Sequence, residues 1–177
     1  RIGFSTKDII HALKNVKYLV SCFNLFMIID LSGKTALVTG GATGLGRGIA
    51  KALSNSNANV VITSRNKKNI SDTMKVLNSK SSGYNLDLTK PKDIEILYKR
   101  IKKKYKKVDI LVNNIGHTLN IKNPFAPIDE WKKILGLNFL TAVNLNNKFI
   151  KDMKKANWGR IINITSIAGL EISGPST

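Results

Sequence analysis

The sequence predicts an α/β fold, a doubly wound parallel sheet, and three observations carry that reading. Short apolar runs such as Thr35-Ala36-Leu37-Val38 and Asn59-Val60-Val61-Ile62-Thr63 look like strands buried on both faces. Helix-length segments with apolar residues at helical spacing lie between these runs. A glycine-rich stretch, Thr39-Gly40-Gly41-Ala42-Thr43-Gly44-Leu45-Gly46, joins the first strand to the first helix. Strands alternating with helices imply βαβ units with right-handed crossovers.

The elements follow in order from Asp30. Thr35–Val38 opens the sheet, and Gly44–Ser56 is a helix with Leu45, Ile49 and Leu53 on one face. Asn59–Thr63 is the second strand, and Asn69–Lys80 is a moderately periodic helix. Gly83–Asp87 is a short third strand with little apolar character. Pro91–Lys104 is a helix that starts on Pro, with Asp93 favourable to its dipole and Ile94, Leu97 and Ile101 as its apolar face. Val108–Val112 is the fourth strand. Asp129 is a candidate N-cap for a long helix from Glu130 to about Asn157. Ile161–Thr165 is the fifth strand, and it delivers Thr165 and Ser166 to a Gly-rich loop.

The chain has 177 residues, enough for one domain with a real core. Its 29 Lys and Arg against 11 Asp and Glu give a net charge of +18, which raises nucleic acid as a partner. Much of the excess lies in the helical stretch Lys99–Asp109, and no recognised nucleic-acid motif accompanies it. The charge is therefore read as solvated helix faces, with neither nucleic acid nor membrane as a partner. The single cysteine, Cys22, and two separated histidines offer no metal-ligand spacing, and the composition suits a reducing, cytoplasmic setting. Residues 1–26 match the rest poorly. The apolar run Tyr18–Ile29 is too short to span a membrane, and Met27 would be a natural start. Residues 1–26 are read as an upstream extension, with a membrane anchor as the alternative, and 27–177 as the folded domain.

A glycine loop placed between strand and helix has a mechanism. It allows a tight turn and close backbone approach, and the helix N-terminus offers free N–H groups to a phosphate. No Gly-Lys-Ser/Thr follows, so it is not a Walker A loop. The wide spacing Gly40, Gly44, Gly46 resembles the TGxxxGxG motif of the short-chain dehydrogenase/reductase family. Further motifs follow in the family's order: Asp87, the stretch Asn113-Asn114-Ile115-Gly116, Asn138, and the strand of Gly159–Gly169 that carries Ser166. The resemblance covers about Asp30 to Thr177. It is nearest in kind to 3-oxoacyl-carrier-protein reductases and to sugar or polyol dehydrogenases.

The resemblance implies a Rossmann-like sheet, here about five strands of an expected seven, and hydride transfer between a nicotinamide and a carbonyl or alcohol. It places Gly40, Thr43, Gly44, Leu45 and Gly46 at the cofactor, with Asp87 and Leu88 at the adenine. Asn114, Ile115 and Gly116 fall beside the nicotinamide ribose. An NAD-binding fold carries an acid about 20 residues beyond the loop, at the end of the second strand. Here Ser64 and Arg65 stand there without one, so NADP(H) is expected over NAD(H), because Arg can pair with a 2′-phosphate.

Catalytic roles are implied for Ser166, which would hold the substrate oxygen, and for Asn138. Their alternatives are a turn hydroxyl for Ser166 and, for Asn138, a buried amide bonded to neighbouring backbone. The family's proton carrier is a Tyr-x-x-x-Lys soon after the Ser, expected beyond Thr177. Tyr18, Tyr84, Tyr98 and Tyr105 lie in other elements, and none is read as heading that motif. The substrate would be a small carbonyl or alcohol, free or carrier-linked, and the whole protein a homo-oligomer, a dimer or tetramer. Phe139, Leu145, Phe149 and Met153 are read as apolar surface of the long helix. His117 is a candidate for the cleft or an ordinary loop residue. The competing reading is a non-catalytic dinucleotide-binding or redox-sensing module.

Overall fold

A computed structural model of the chain describes residues 29–121, 123 and 125–166. Expectations placed on residues 1–26, on Met27 and on the end of the Gly159–Gly169 stretch lie outside the described residues. The elements are β1 (Thr35–Val38), α1 (Gly44–Asn55), β2 (Asn59–Ser64), α2 (Lys67–Met74), β3 (Ser82–Asn85) and α3 (Pro91–Tyr105). Then come β4 (Ile110–Asn113), α4 (Ile128–Leu135), a π-helical segment (Gly136–Leu140), α5 (Thr141–Lys155) and β5 (Arg160–Asn163).

The five strands are parallel, in the order β3-β2-β1-β4-β5. The chain winds from β1 outward to β3, then returns to the other side of β1 for β4 and β5. That reversal makes a crevice between the C-terminal ends of β1 and β4, where ligands bind in open α/β sheets.

Strand alternation builds two cores. Leu37, Val61 and Leu111 point to one face and pack with Leu97, Ile101, Leu145 and Phe149 of α3 and α5. Ala36, Val38, Val60, Ile62, Ile110 and Val112 point to the other and pack with Ala50 of α1 and Ile70 of α2. The central strands are buried on both sides, which is why their sequences carry no polar alternation. β5, at the edge of the described sheet, is largely exposed.

Local contacts explain where the boundaries depart from the sequence expectation. α2 starts early because Asn66 caps it, its side chain accepting from the Asn69 N–H at 3.1 Å. It ends at Met74 instead of near Lys80, and Asn78 beyond it is pinned to the α1–β2 corner. There its N–H donates to Ser54 Oγ at 2.8 Å and its Nδ2 to the Ala58 carbonyl at 2.7 Å. Pro127, not Asp129, holds the N-cap of α4, and Asp129 and Glu130 sit in the first turn, where the dipole favours them.

The long helix is interrupted. The Thr141 N–H reaches back to the Gly136 carbonyl, and the Thr141 hydroxyl donates to the same oxygen at 2.9 Å. The widened turn changes which residues face inward. Leu137, Thr141, Leu145, Phe149 and Met153 are buried, and Asn138 is exposed. Of the four residues expected as helix surface, only Phe139 is exposed, at 60%. Trp131 and Leu135 are exposed beside it. Among the described residues no helix is long and apolar enough to cross a membrane.

Candidate active site

Thr39 ties the ends of β1 and β4 together and so fixes the floor of the crevice. Its hydroxyl donates to the Val112 carbonyl at 3.2 Å and accepts from the N–H groups of Asn114 and Ile115 at 3.0 and 3.3 Å. Asn114 returns the support, its Nδ2 donating to the Thr39 carbonyl at 3.0 Å and standing 3.4 Å from the Gly40 carbonyl oxygen. The glycine loop is thus held from below by a side chain of the neighbouring strand's exit.

Two features make the loop a cradle. Gly40 turns the chain at φ 61°, a conformation that favours glycine. Gly46 lies so close that a Cβ there would overlap the Gly40 carbonyl oxygen and stand 2.5 Å from Asn114 Nδ2. The N-cap residue Thr43 makes no side-chain cap bond, and α1 has no acid in its first turn. Its N-terminal N–H groups and dipole therefore face the crevice without a competing carboxylate.

The cleft has a volume of about 280 Å³. Gly40, Thr43, Leu45 and Gly46 form its base. Ser64, Arg65, Asp87 and Leu88 form one end, and Asn114, Ile115 and Gly116 the other. Of the sequence-assigned cofactor residues only Gly44 is not in the wall; it turns the loop at φ 50°. Leu45, expected on the apolar face of α1, is 62% exposed, because the helix packs through Gly46, Ala50 and Ser54 instead. Ile115 packs against the core beneath the loop.

The β2 end carries the charge pattern. Arg65 is exposed, and the Ser64 hydroxyl accepts from the Asn66 N–H at 3.1 Å. Partial burial pushes the Asp87 carboxyl upward, but the Thr89 hydroxyl, the Thr89 N–H and the nearby charges of Arg65 and Lys90 outweigh it. The net effect holds Asp87 below the usual carboxylate value, with Thr89 Oγ1 at 2.7 Å as the closest donor. Thr89→Ala is expected to raise the Asp87 pKa, measured by NMR titration of the carboxyl carbon; an unchanged value would remove Thr89 as the cause.

Neither Asn138 nor Ser166 is in the wall of the cleft. Asn138 was expected as a buried amide on the apolar stripe; the π segment instead exposes it and brings it over the loop leaving β4. Its Oδ1 accepts from the His117 N–H at 2.8 Å and its Nδ2 donates to the His117 carbonyl at 3.0 Å. Asn138→Ala should release this loop at a cost of about 1 kcal/mol, seen as faster amide exchange at His117 with the fold intact. Ser166 follows β5 and is exposed. Asn113 and Asn163 are register partners, so Ser166 lies three residues beyond the last pair of the β4–β5 ladder.

One sequence reading needs correction. Tyr98 and Lys102 do have the spacing Tyr-x-x-x-Lys. They lie on α3, where the Tyr98 hydroxyl donates to Asp152 at 3.2 Å and Lys102 pairs with the same carboxylate at 3.1 Å. Neither lines the cleft.

Sequence reasoning passed over Thr39, Thr63, Leu86, Thr89 and Leu137. Thr63, Leu86, Thr89 and Leu137 line the cleft, and Thr39 braces it. The first residue of the glycine motif was a usable signal for Thr39; the rest depend on packing that no local pattern announces.

The family model described as short chain dehydrogenase matches residues 34–175. The chain is 37% identical over 139 residues to the 3-oxoacyl-[acyl-carrier-protein] reductase FabG of Haemophilus influenzae, covering 78% of this chain and 57% of that protein. It is 36% identical over 151 residues to the D-beta-hydroxybutyrate dehydrogenase of Cupriavidus necator, covering 81% and 57%. The fold resembles 7 alpha-hydroxysteroid dehydrogenase complexed with NADH and 7-oxo glycochenodeoxycholic acid. That match has a TM-score of 0.77 and 27% identity, over 83% of this chain and 58% of that one. It also resembles a metagenomic short-chain oxidoreductase in complex with NADP, with a TM-score of 0.73 and 27% identity over 82% and 68%. The chain thus spans less than two thirds of the length of these two curated relatives.

Proposed function

Because the chain belongs to the short-chain dehydrogenase family, we propose that it is the cofactor-binding part of an NADP(H)-dependent oxidoreductase acting on a carbonyl or alcohol substrate. The observation that supports this best is the coincidence of the braced glycine loop with Arg65 and Ser64 at one end of a single cleft. The cradle fits a dinucleotide. A side chain at Gly46 would clash with the Gly40 carbonyl and deform the cradle, the α1 N-terminus is unblocked for a pyrophosphate, and the β2 end offers a guanidinium in place of a carboxylate.

In this reading the backbone of Gly40–Gly46 holds the pyrophosphate, and Arg65 and Ser64 take the 2′-phosphate. Asp87 and Leu88 meet the adenine, while Asn114, Ile115 and Gly116 meet the nicotinamide ribose. The nicotinamide would supply or accept hydride. Ser166 donates its hydroxyl hydrogen to the substrate oxygen, stabilising charge that develops there. Asn138 positions the β4 exit loop through His117. Tyr98 and Lys102 are committed to Asp152 and are given no part in moving the proton. The whole protein is read as cytoplasmic and homo-oligomeric, with the exposed Trp131, Leu135 and Phe139 as surface available for assembly.

The test is oxidation of NADPH by the full-length protein with a 3-oxoacyl thioester, followed by loss of reduced-nicotinamide absorbance. Turnover that Ser166→Ala cuts by about a hundredfold supports the assignment. NADPH binding with no turnover on any carbonyl substrate would favour a sensing module instead.

A further inference from the structure

His117 lines the cleft and is exposed, and its ring has no part in the function above. Both main-chain groups of His117 are clasped by Asn138. Its ring is fixed as well, because the Leu119 N–H donates to Nδ1 at 2.7 Å. The chain reaches that position through a tight reversal, with Leu119 and Asn120 at φ 56° and 61° and the Ile121 N–H closing onto the Thr118 carbonyl at 3.1 Å. Both central residues have positive φ, as in a type I′ turn, and a leucine there is strained.

The ring's chemistry follows from that bond. With Nδ1 accepting, a neutral imidazole carries its proton on Nε2, so the remaining polar atom is a donor. The strand register sets its neighbourhood. His117 leaves β4 four residues past Asn113 and Ser166 leaves β5 three residues past Asn163, and these asparagines are partners. The two loops leave neighbouring strand ends, and the ring with its remaining N–H belongs to a residue of the cleft wall.

We propose that His117 is a specificity residue whose Nε2–H binds a second oxygen of the substrate, next to the carbonyl held by Ser166. The proposal rests on the oxidoreductase reading of the same cleft. It selects substrates with a carbonyl or carboxylate oxygen close to the reacting carbon, such as 3-oxoacyl thioesters, over isolated ketones. An isolated ketone leaves the donor without a partner once water is displaced, and sites built around a hydrogen bond discriminate strongly against ligands that lack it.

Two substitutions separate this role from simple loop closure. The amide oxygen of Asn takes the place of Nδ1 and can accept from Leu119, but it supplies no donor at the ε position. Gln places an amide N–H near Nε2 and gives up the bond to Leu119. Full-length protein saturated with NADP⁺ cannot reduce a ketone, so binding of acetoacetyl-CoA can be measured by calorimetry without turnover.

His117→Asn should weaken acetoacetyl-CoA about tenfold with an unchanged thermal midpoint, and His117→Gln should recover most of that loss at a slightly lower midpoint, because it gives up the bond to Leu119; cyclohexanone binding should be unchanged in both. In turnover the Asn variant should raise KM for acetoacetyl-CoA with kcat nearly constant. Wild-type behaviour of His117→Asn with impairment of His117→Gln would overturn the proposal in favour of loop closure. A tenfold loss of NADP⁺ affinity in His117→Asn would also overturn it, by placing the donor on the cofactor. Wild-type protein that binds NADP⁺ but not acetoacetyl-CoA would overturn it while leaving the cofactor reading intact, and protein that binds neither would overturn both.

Discussion

Gly46→Ala is expected to destabilise the domain by about 2 kcal/mol or more and to abolish dinucleotide binding. The added Cβ would overlap the Gly40 carbonyl and press on Asn114 Nδ2 at 2.5 Å. Neither neighbour is the free end of a flexible chain. Gly40 is loop backbone, and Asn114 is held by its bonds to Thr39 and Gly40. The loop must therefore move away from β4, and its bracing goes with it. Gly48 is the internal control. It lies two residues further along α1, and a Cβ there meets nothing within 4 Å. Gly48→Ala should stabilise by up to about 1 kcal/mol through helix propensity. Urea denaturation of the pair measures both effects, and equal losses at the two positions would mean that the close packing at Gly46 is not what the loop depends on.

Arg65→Glu should reverse the choice of cofactor. A guanidinium–phosphate pair is worth roughly 1.5–3 kcal/mol, or about ten- to a hundredfold in affinity. Glu removes that pair and adds repulsion toward a 2′-phosphate, while it can accept from a ribose 2′-hydroxyl. NADPH affinity should fall by at least that factor and NADH affinity should hold or rise. Ser64 and Asp87 remain in place, so a parallel loss of both cofactors would show Arg65 acting on the fold or on Asp87 and not on the 2′ position. Arg65 already bears on Asp87, whose depressed pKa it helps to maintain, and an NMR titration of Asp87 in the variant separates the two effects.

The sheet was largely readable in the sequence, since β1, β2 and β4 are apolar runs that only a doubly covered strand explains. β3 was harder because Ser82-Gly83-Tyr84-Asn85 has no such run; it is a half-buried edge whose place is set by pairing with β2. The end of α2 depends on Asn78 reaching Ser54 and Ala58, contacts made across the fold. The π segment left no periodic signature. A strict helical count from Ile134 put Asn138 inside, whereas the widened turn buries Leu137 and Thr141 and leaves Asn138 to clasp His117. The residues of the cleft wall were largely legible because a glycine motif and the residues at strand ends act locally. The bracing by Thr39 and the locked ring of His117 were not, because each is a bond between segments far apart or a turn whose positive φ values no residue type announced.

The central claim is that one cleft, braced at Gly40 and Gly46 and charged at Arg65, binds a nicotinamide dinucleotide with a 2′-phosphate. Calorimetric titration of the protein with NADPH and with NADH, at one salt concentration, tests it most directly. Saturable binding of NADPH at least tenfold tighter than NADH, lost in Gly46→Ala, is the expected result. Equal affinity for the two, or no saturable binding of either, would contradict it.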